Sequence, residues 1–320
     1  MVDMQQFNTW CFFCSSKPIP AELQLRNNGT IVFTPYGNSC EPMGYYDESD
    51  DIYGVEIKAA TKEEVNHITE ILCACHTLVE GDNMESPEDI IKRYNRDPNN
   101  ILTQIGTKGV VYPDDALMHA CRLVQKVYGN QLLENAVCKY YVAHDIYKLH
   151  PMDLHPLEDP FVNEYLLTER IRIANVIVNC YAVLEELHMQ IIADTKNPSV
   201  INGKWNPLVK EELCSRLARK SIDSQKSIPW LSRNGVIRPF RASAVEADAL
   251  CEWSDGQAIC DFKINICDAI LELSYMRSQL ASHKYGNKVF KLSVYDADNA
   301  FFLARYLLAK HLGRDICPSS

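Results

Sequence analysis

From Ile259 the apolar residues recur at Phe262, Ile266, Ala269, Leu273, Met276 and Leu280, alternating steps of three and four without a break. Such a series predicts one face of a helix, because at about 100° per residue these steps straddle a full turn. An earlier series, Leu167, Ile171, Ala174, Val178, Tyr181, Leu184 and Leu187, keeps the same beat. A third segment, 299–312, is apolar on nearly all sides (Phe301, Phe302, Leu303, Tyr306, Leu307, Leu308), so burial all round is expected. Asp296 or Asp298 is its expected N-cap. A further helix is predicted over Pro207–Lys220, followed by irregular chain from Ile222 to Arg241. Stripes of this kind must be buried against one another, so the second half reads as a helical bundle.

The first half is mixed. Thr30–Tyr36 and Tyr53–Lys58 are β-branched and aromatic runs bounded by Asn-Gly, Gly and Asp clusters, and both are predicted strands. The acidic stretch Gly37–Asp51 between them is read as a loop. Thr61 with Glu64 forms a capping box for a helix to about Val79. Ser86-Pro87-Glu88-Asp89 opens a short helix, and two longer ones are predicted over Ala116–Val127 and Gln131–Leu149. Three prolines between His150 and Pro160 end the helical pattern, which places the domain boundary there. The fold class expected is therefore mostly α: a helical bundle at 161–320 and a smaller α/β N-terminal domain at 1–160.

Composition narrows the function classes. With 47% hydrophobic and 23% charged residues in 320, the chain is neither collagen-like, disordered nor a long coiled coil. No apolar run approaches the roughly 18 residues of a membrane span, and the N-terminus lacks a basic segment followed by an apolar one. Thirteen scattered cysteines fit a reducing compartment, so a cytoplasmic protein with no membrane attachment is expected. Cys11, Cys14, Cys73, Cys75 and His76 offer enough soft ligands for zinc, but the second cluster falls in a helix where positions i and i+2 diverge. Packed thiols are the preferred reading, with neither metal nor cofactor expected.

The net charge of −10 is unevenly divided: −12 over residues 1–160 and +2 over 161–320. Within 196–241 ten basic residues stand against Glu211, Glu212 and Asp223. Such a segment attracts phosphates, or else simply faces the acidic half of its own chain.

The apolar seam ends in Met276-Arg277-Ser278-Gln279-Leu280-Ala281-Ser282-His283-Lys284-Tyr285-Gly286. On a regular helix Arg277 and His283 lie about 60° to either side of Leu280. A cation at the end of a core-facing seam is costly unless the seam opens into a cleft or a partner. The alternative is that Arg277 snorkels to solvent and His283 caps the helix C-terminus.

An Arg followed after about four to six residues by a His, on a bundle helix before an apolar final helix, resembles the HEPN domains (higher eukaryotes and prokaryotes nucleotide-binding). Val183-Leu184-Glu185-Glu186-Leu187 on the first long helix, the insertion Asn202-Gly-Lys-Trp-Asn-Pro207 and Trp230-Leu-Ser-Arg-Asn-Gly235 fit the same pattern. The insertion looks like that of bacterial HEPN proteins related to the abortive-infection type, and the resemblance spans residues 161–313. One departure is Ser278, where active members often carry Asn, Asp or His.

The resemblance implies a metal-independent endoribonuclease acting as a homodimer, with the Arg277 and His283 pairs of two subunits lining one cleft. His283 would take or give a proton and Arg277 would hold phosphate. Ser278 and Tyr285 would position phosphate or water, and Glu185 or Glu186 would orient the pair. The basic segment 196–241 would bind RNA: Lys204, Arg216, Arg219, Lys220, Arg233 and Arg238 on phosphates, Trp205 and Trp230 on unpaired bases. On burial alone the preferred reading of each tryptophan is that it anchors the insertion against the bundle. The expected setting is bacterial defence or a toxin, the acidic half sensing a trigger or binding an antitoxin. The alternative function is a non-catalytic HEPN module that binds nucleotide, RNA or protein.

Overall fold

The computed structural model describes residues 5–15, 19–26, 29–37, 51–81, 111–148, 167–233, 237–240, 259–281 and 292–313. The fold is mostly α, with seven α-helices among these residues and a sheet near the N-terminus. The chain forms two compact units, Met1–Tyr141 and Val142–Ser320. The prolyl segment to which the sequence assigns the boundary lies outside the described residues, as do the helix expected at Ser86 and residues 38–50 of the acidic loop.

The first unit is built on a five-stranded sheet from β1 (Gln5–Ser15), β2 (Glu22–Gln24), β3 (Thr30–Gly37), β4 (Asp51–Ala59) and β5 (Val111–Pro113), in the order β2-β3-β4-β1-β5. All neighbours run antiparallel except β1 and β5, which are parallel. The predicted strands β3 and β4 bury Ile31, Phe33, Val55 and Ile57 on one face of the sheet. Helix α1 (Lys62–Glu80) starts where Thr61 and Glu64 place it. Thr61 Oγ1 accepts from the Glu64 N–H at 3.1 Å, and the Glu64 carboxylate accepts from the Ala60 N–H at 3.2 Å and the Tyr128 hydroxyl at 2.6 Å. Gly81 ends the helix at φ 81°, a left-handed cap whose N–H bonds the Thr77 carbonyl. Helix α2 (Asp114–Val127) packs on α1, and α3 (Gln131–Lys148) follows across a short turn.

In the second unit, α4 (Leu167–Glu186) packs along α7 (Val294–His311). Between them in sequence come the two-residue strands β6 (Val200–Ile201) and β7 (Lys204–Trp205), helix α5 (Pro207–Arg219), strands β8 (Ser227–Arg233) and β9 (Ile259–Asn265), and helix α6 (Ile266–Tyr275). Asn202 and Gly203 join β6 to β7 with φ of 50° and 70°, the doubly left-handed turn that Asn-Gly favours. Helix α7 is capped by Ser293 rather than by Asp296 or Asp298; the Asp296 carboxylate reaches back to the Ser293 N–H at 2.9 Å. Asp298 instead accepts a hydrogen bond from Tyr147.

Two expectations are corrected here. Residues 222–241 are not all irregular, and the long helix does not begin at Ile259. Ser227–Arg233 pairs antiparallel with Ile259–Asn265, from Ser227 opposite Asn265 to Arg233 opposite Ile259. In β8 the side chains alternate, with Ser227 and Pro229 exposed and Ile228 and Trp230 buried. Asn265 then caps α6, its side chain accepting from the Asp268 N–H at 2.9 Å, so the helical seam begins at Ile266.

Candidate functional site

The seam of α6 behaves as its spacing predicts: Ile266, Ala269, Leu273, Met276 and Leu280 are buried. At Met276 the α-helix passes into a π-helical turn, Met276–Ala281. The wider turn changes the angle between successive side chains, so regular-helix angles no longer place Arg277. The structure brings it against the end of α4. Arg277 Nη2 donates to Glu185 Oε1 at 3.4 Å, and its guanidinium carbon lies 5.5 Å from the centre of the Tyr181 ring.

The end of α4 explains the pairing. Glu185 and Glu186 occupy its last turn with no basic residue there, so carboxylates meet the negative end of the helix dipole. Arg277 supplies the missing positive charge from the neighbouring helix. Tyr181, one turn earlier and buried, offers its ring face to the cation and its hydroxyl to Ser274 Oγ at 3.3 Å. Burial holds the Tyr181 hydroxyl pKa above its ordinary value, opposed by the Ser274 bond. Both Arg277 and Glu185 are 40% exposed, so solvent screens the pair to about 1 kcal/mol or less and leaves the cation open to a further anion.

Of the residues expected beside Arg277, Glu185 is brought to it, and Ser278 follows it on the π turn. The Ser278 hydroxyl donates to the Tyr275 carbonyl at 3.4 Å, a local back-bond rather than a contact with Arg277. Glu186 is half-buried at the adjoining position of α4. His283 and Tyr285 lie outside the described residues.

The basic insertion is sorted by burial into anchors and surface charges. Trp230 is 3% exposed and belongs to the core. Trp205 donates its indole N–H to Asp268 Oδ1 at 2.6 Å, edges onto Phe240 and carries Lys210 Nζ over its ring at 5.8 Å. It thereby ties the β6–β7 hairpin to the first turn of α6. Arg216 is buried, with Glu212 Oε1 3.9 Å from its Nε; among the described residues its guanidinium makes no hydrogen bond. These are corrections to the expected RNA surface: Trp230 and Arg216 present no open face to a nucleic acid.

Arg238 is corrected too. Its Nη1 donates to Glu272 Oε1 and its Nη2 to Asp296 Oδ1, each at 2.8 Å, while its backbone N–H bonds Glu272 Oε2 at 2.9 Å. The cation is committed to two buried carboxylates, one from α6 and one from the cap of α7. Burial pushes the Glu272 carboxyl up to about 7 despite Arg238, with Asp296 adding in the same direction. This triad escapes sequence reasoning; the only signal is a carboxylate embedded in Leu271-Glu272-Leu273. Lys204 and Arg219 remain exposed and Lys220 half-exposed, its pKa lowered by burial and then by Arg219. Arg233 lies on β8, and its side chain is not among those described.

The zinc alternative finds no support on α1, where Cys73, Cys75 and His76 are buried; burial holds the Cys75 thiol well above its ordinary range. Cys11 and Cys14 fall on β1, whose side chains are outside the description. Among the described residues no group of three or more His, Cys, Asp or Glu side chains is placed to hold a metal ion, and no helix is long and apolar enough to cross a membrane. In comparisons with known proteins, no family model matches the chain, and no curated protein or solved structure shows significant similarity to it.

Proposed function

We propose that the chain is a metal-independent endoribonuclease of the HEPN type, cytoplasmic, working as a homodimer in bacterial defence or as a toxin. The observation that carries the reading is the state of Arg277. It projects from the end of a buried seam, oriented by Glu185 and Tyr181, yet keeps much of its surface open. Arg238, by contrast, is spent on the core.

In this reading His283 takes the proton of a ribose 2′-hydroxyl, and that oxygen attacks the adjacent phosphorus. Arg277 holds the phosphate and stabilises the charge gained in the transition state, while the 5′-oxygen leaves with a proton. Of the cations expected on RNA, Lys204, Arg219 and Lys220 are, among the described residues, still available to its backbone. The acidic first unit restrains the nuclease or binds a trigger or protein antitoxin.

The test is RNA cleavage by the purified chain in the presence of EDTA. Products ending in 2′,3′-cyclic phosphate, lost on Arg277→Ala and on His283→Ala, are expected. Cleavage that EDTA abolishes, or that survives both substitutions, refutes the mechanism. A second reading, a non-catalytic HEPN module that binds RNA or protein, is favoured by two details. Arg277 already has a carboxylate partner, and Ser278 turns its hydroxyl to its own backbone. RNA retention without cleavage would support that reading.

A further inference from the structure

Cys214 on α5 and Cys267 in the first turn of α6 bring their sulfurs to 3.4 Å. The proposed RNA chemistry uses neither. Cys214 is half-exposed, whereas Cys267 is buried. A disulfide has a sulfur–sulfur distance of about 2.05 Å, so the two atoms need to close by only about 1.3 Å. Beside this point the Trp205 indole bond to Asp268 ties β7, which leads directly into α5, to the same first turn of α6.

We propose that Cys214 and Cys267 are a redox-responsive dithiol whose disulfide staples the insertion, β6 to α5, onto the start of α6. The oxidant class is a low-molecular-weight disulfide. The Cys214 thiolate attacks one of its sulfurs, forming a mixed disulfide and expelling one thiolate, which takes up the proton that Cys214 gave up. Cys267 then loses its proton and attacks Cys214 Sγ, expelling the second small thiolate, which is protonated in turn. Two protein thiols are oxidised, and one external disulfide is reduced to two thiols.

The asymmetry of the pair sets the order. Burial, then the contact with Cys214, pushes the Cys267 thiol up to about 12, so it does not react first with an external disulfide. Lys210, one turn before Cys214, opposes that rise and favours the thiolate when Cys267 resolves the intermediate.

The test equilibrates the full-length protein with glutathione disulfide or with reduced glutathione, blocks free thiols with iodoacetamide and maps tryptic peptides without reduction. Oxidised protein is expected to show Glu211–Arg216 linked to Ile264–Arg277, with loss of one pair of free thiols per chain and full recovery on reduction. Cys267→Ser should trap glutathione on the Cys214 peptide, and Cys214→Ser should leave Cys267 unmodified until the protein is unfolded. Three results overturn the proposal: both peptides still alkylated singly after oxidation, a stable glutathione adduct on wild-type Cys214, or Cys214 linked to another cysteine. The Ser variants differ by one atom, and their circular dichroism is compared with wild type to establish that they fold.

Discussion

Glu272 makes the stability of the second unit depend on pH in a direction opposite to most paired carboxylates. Its carboxyl moves from an ordinary 4.5 to about 7 on folding, chiefly through burial. Folding therefore takes up a proton between those values. The stability attached to the protonated group is fully present below about pH 4.5 and is lost as pH rises through about 7. At about 1.4 kcal/mol per pH unit the full loss is about 3 kcal/mol, most of which falls between about pH 5 and pH 8. Little discount for solvent applies, because the side chain is 3% exposed. Glu272→Gln keeps the shape and an acceptor for Arg238 but cannot ionise. Urea unfolding followed by tryptophan fluorescence reads this unit through the buried Trp230. The wild-type midpoint should fall by about 1 M more than that of Glu272→Gln between the two pH values. Asp298, pushed up to about 6 by burial, titrates in the same sense in both proteins and cancels from the comparison. Midpoints that run parallel across the range would show that this carboxyl is not carrying the proton.

Three further outcomes follow from the geometry. Arg277→Ala should lower unfolding free energy by no more than about 1 kcal/mol, measured by urea titration, because its pair with Glu185 is screened; a larger loss would make the residue structural. Thr61→Ala should cost the first unit about 1 kcal/mol, read from hydrogen exchange of the first turn of α1, while Thr61→Ser should be close to neutral. Trp205→Phe removes the indole N–H from Asp268 and keeps the ring, so a loss of about 1 to 3 kcal/mol in thermal or urea unfolding is expected.

The legible parts of this fold are those fixed by neighbours in sequence. Thr61 and Glu64 form a start signal within four residues, and the β-branched and aromatic run Thr30–Tyr36 needs no partner to be recognised as a strand. The β8–β9 ladder is different. Its strands are separated by the 25 residues 234–258, and the three-residue step from Ile259 to Phe262 suits a helix until the pairing is known. Only the alternation of Ser227, Ile228, Pro229 and Trp230 hints at a strand, and Pro229 weakens that hint. The site divides the same way. Arg277 stands out because it interrupts an apolar seam, whereas its partner Glu185 lies 92 residues earlier on another helix. The fate of Arg238 could not be read locally either: net charge counts it with Arg219, but burial separates them completely in role.

The π-helical turn at Met276–Ala281 has a consequence for how this end of the molecule tolerates change. A π turn takes up one surplus residue as a local bulge, so the helical frame can be carried across it. Removing one residue there would restore an ordinary α-helical pitch without turning the rest of the helix, whereas the same deletion within Ile266–Tyr275 would rotate everything after it by about 100°. The stretch thus acts as a slack link: a change of length that would unseat the buried seam elsewhere is absorbed at this point.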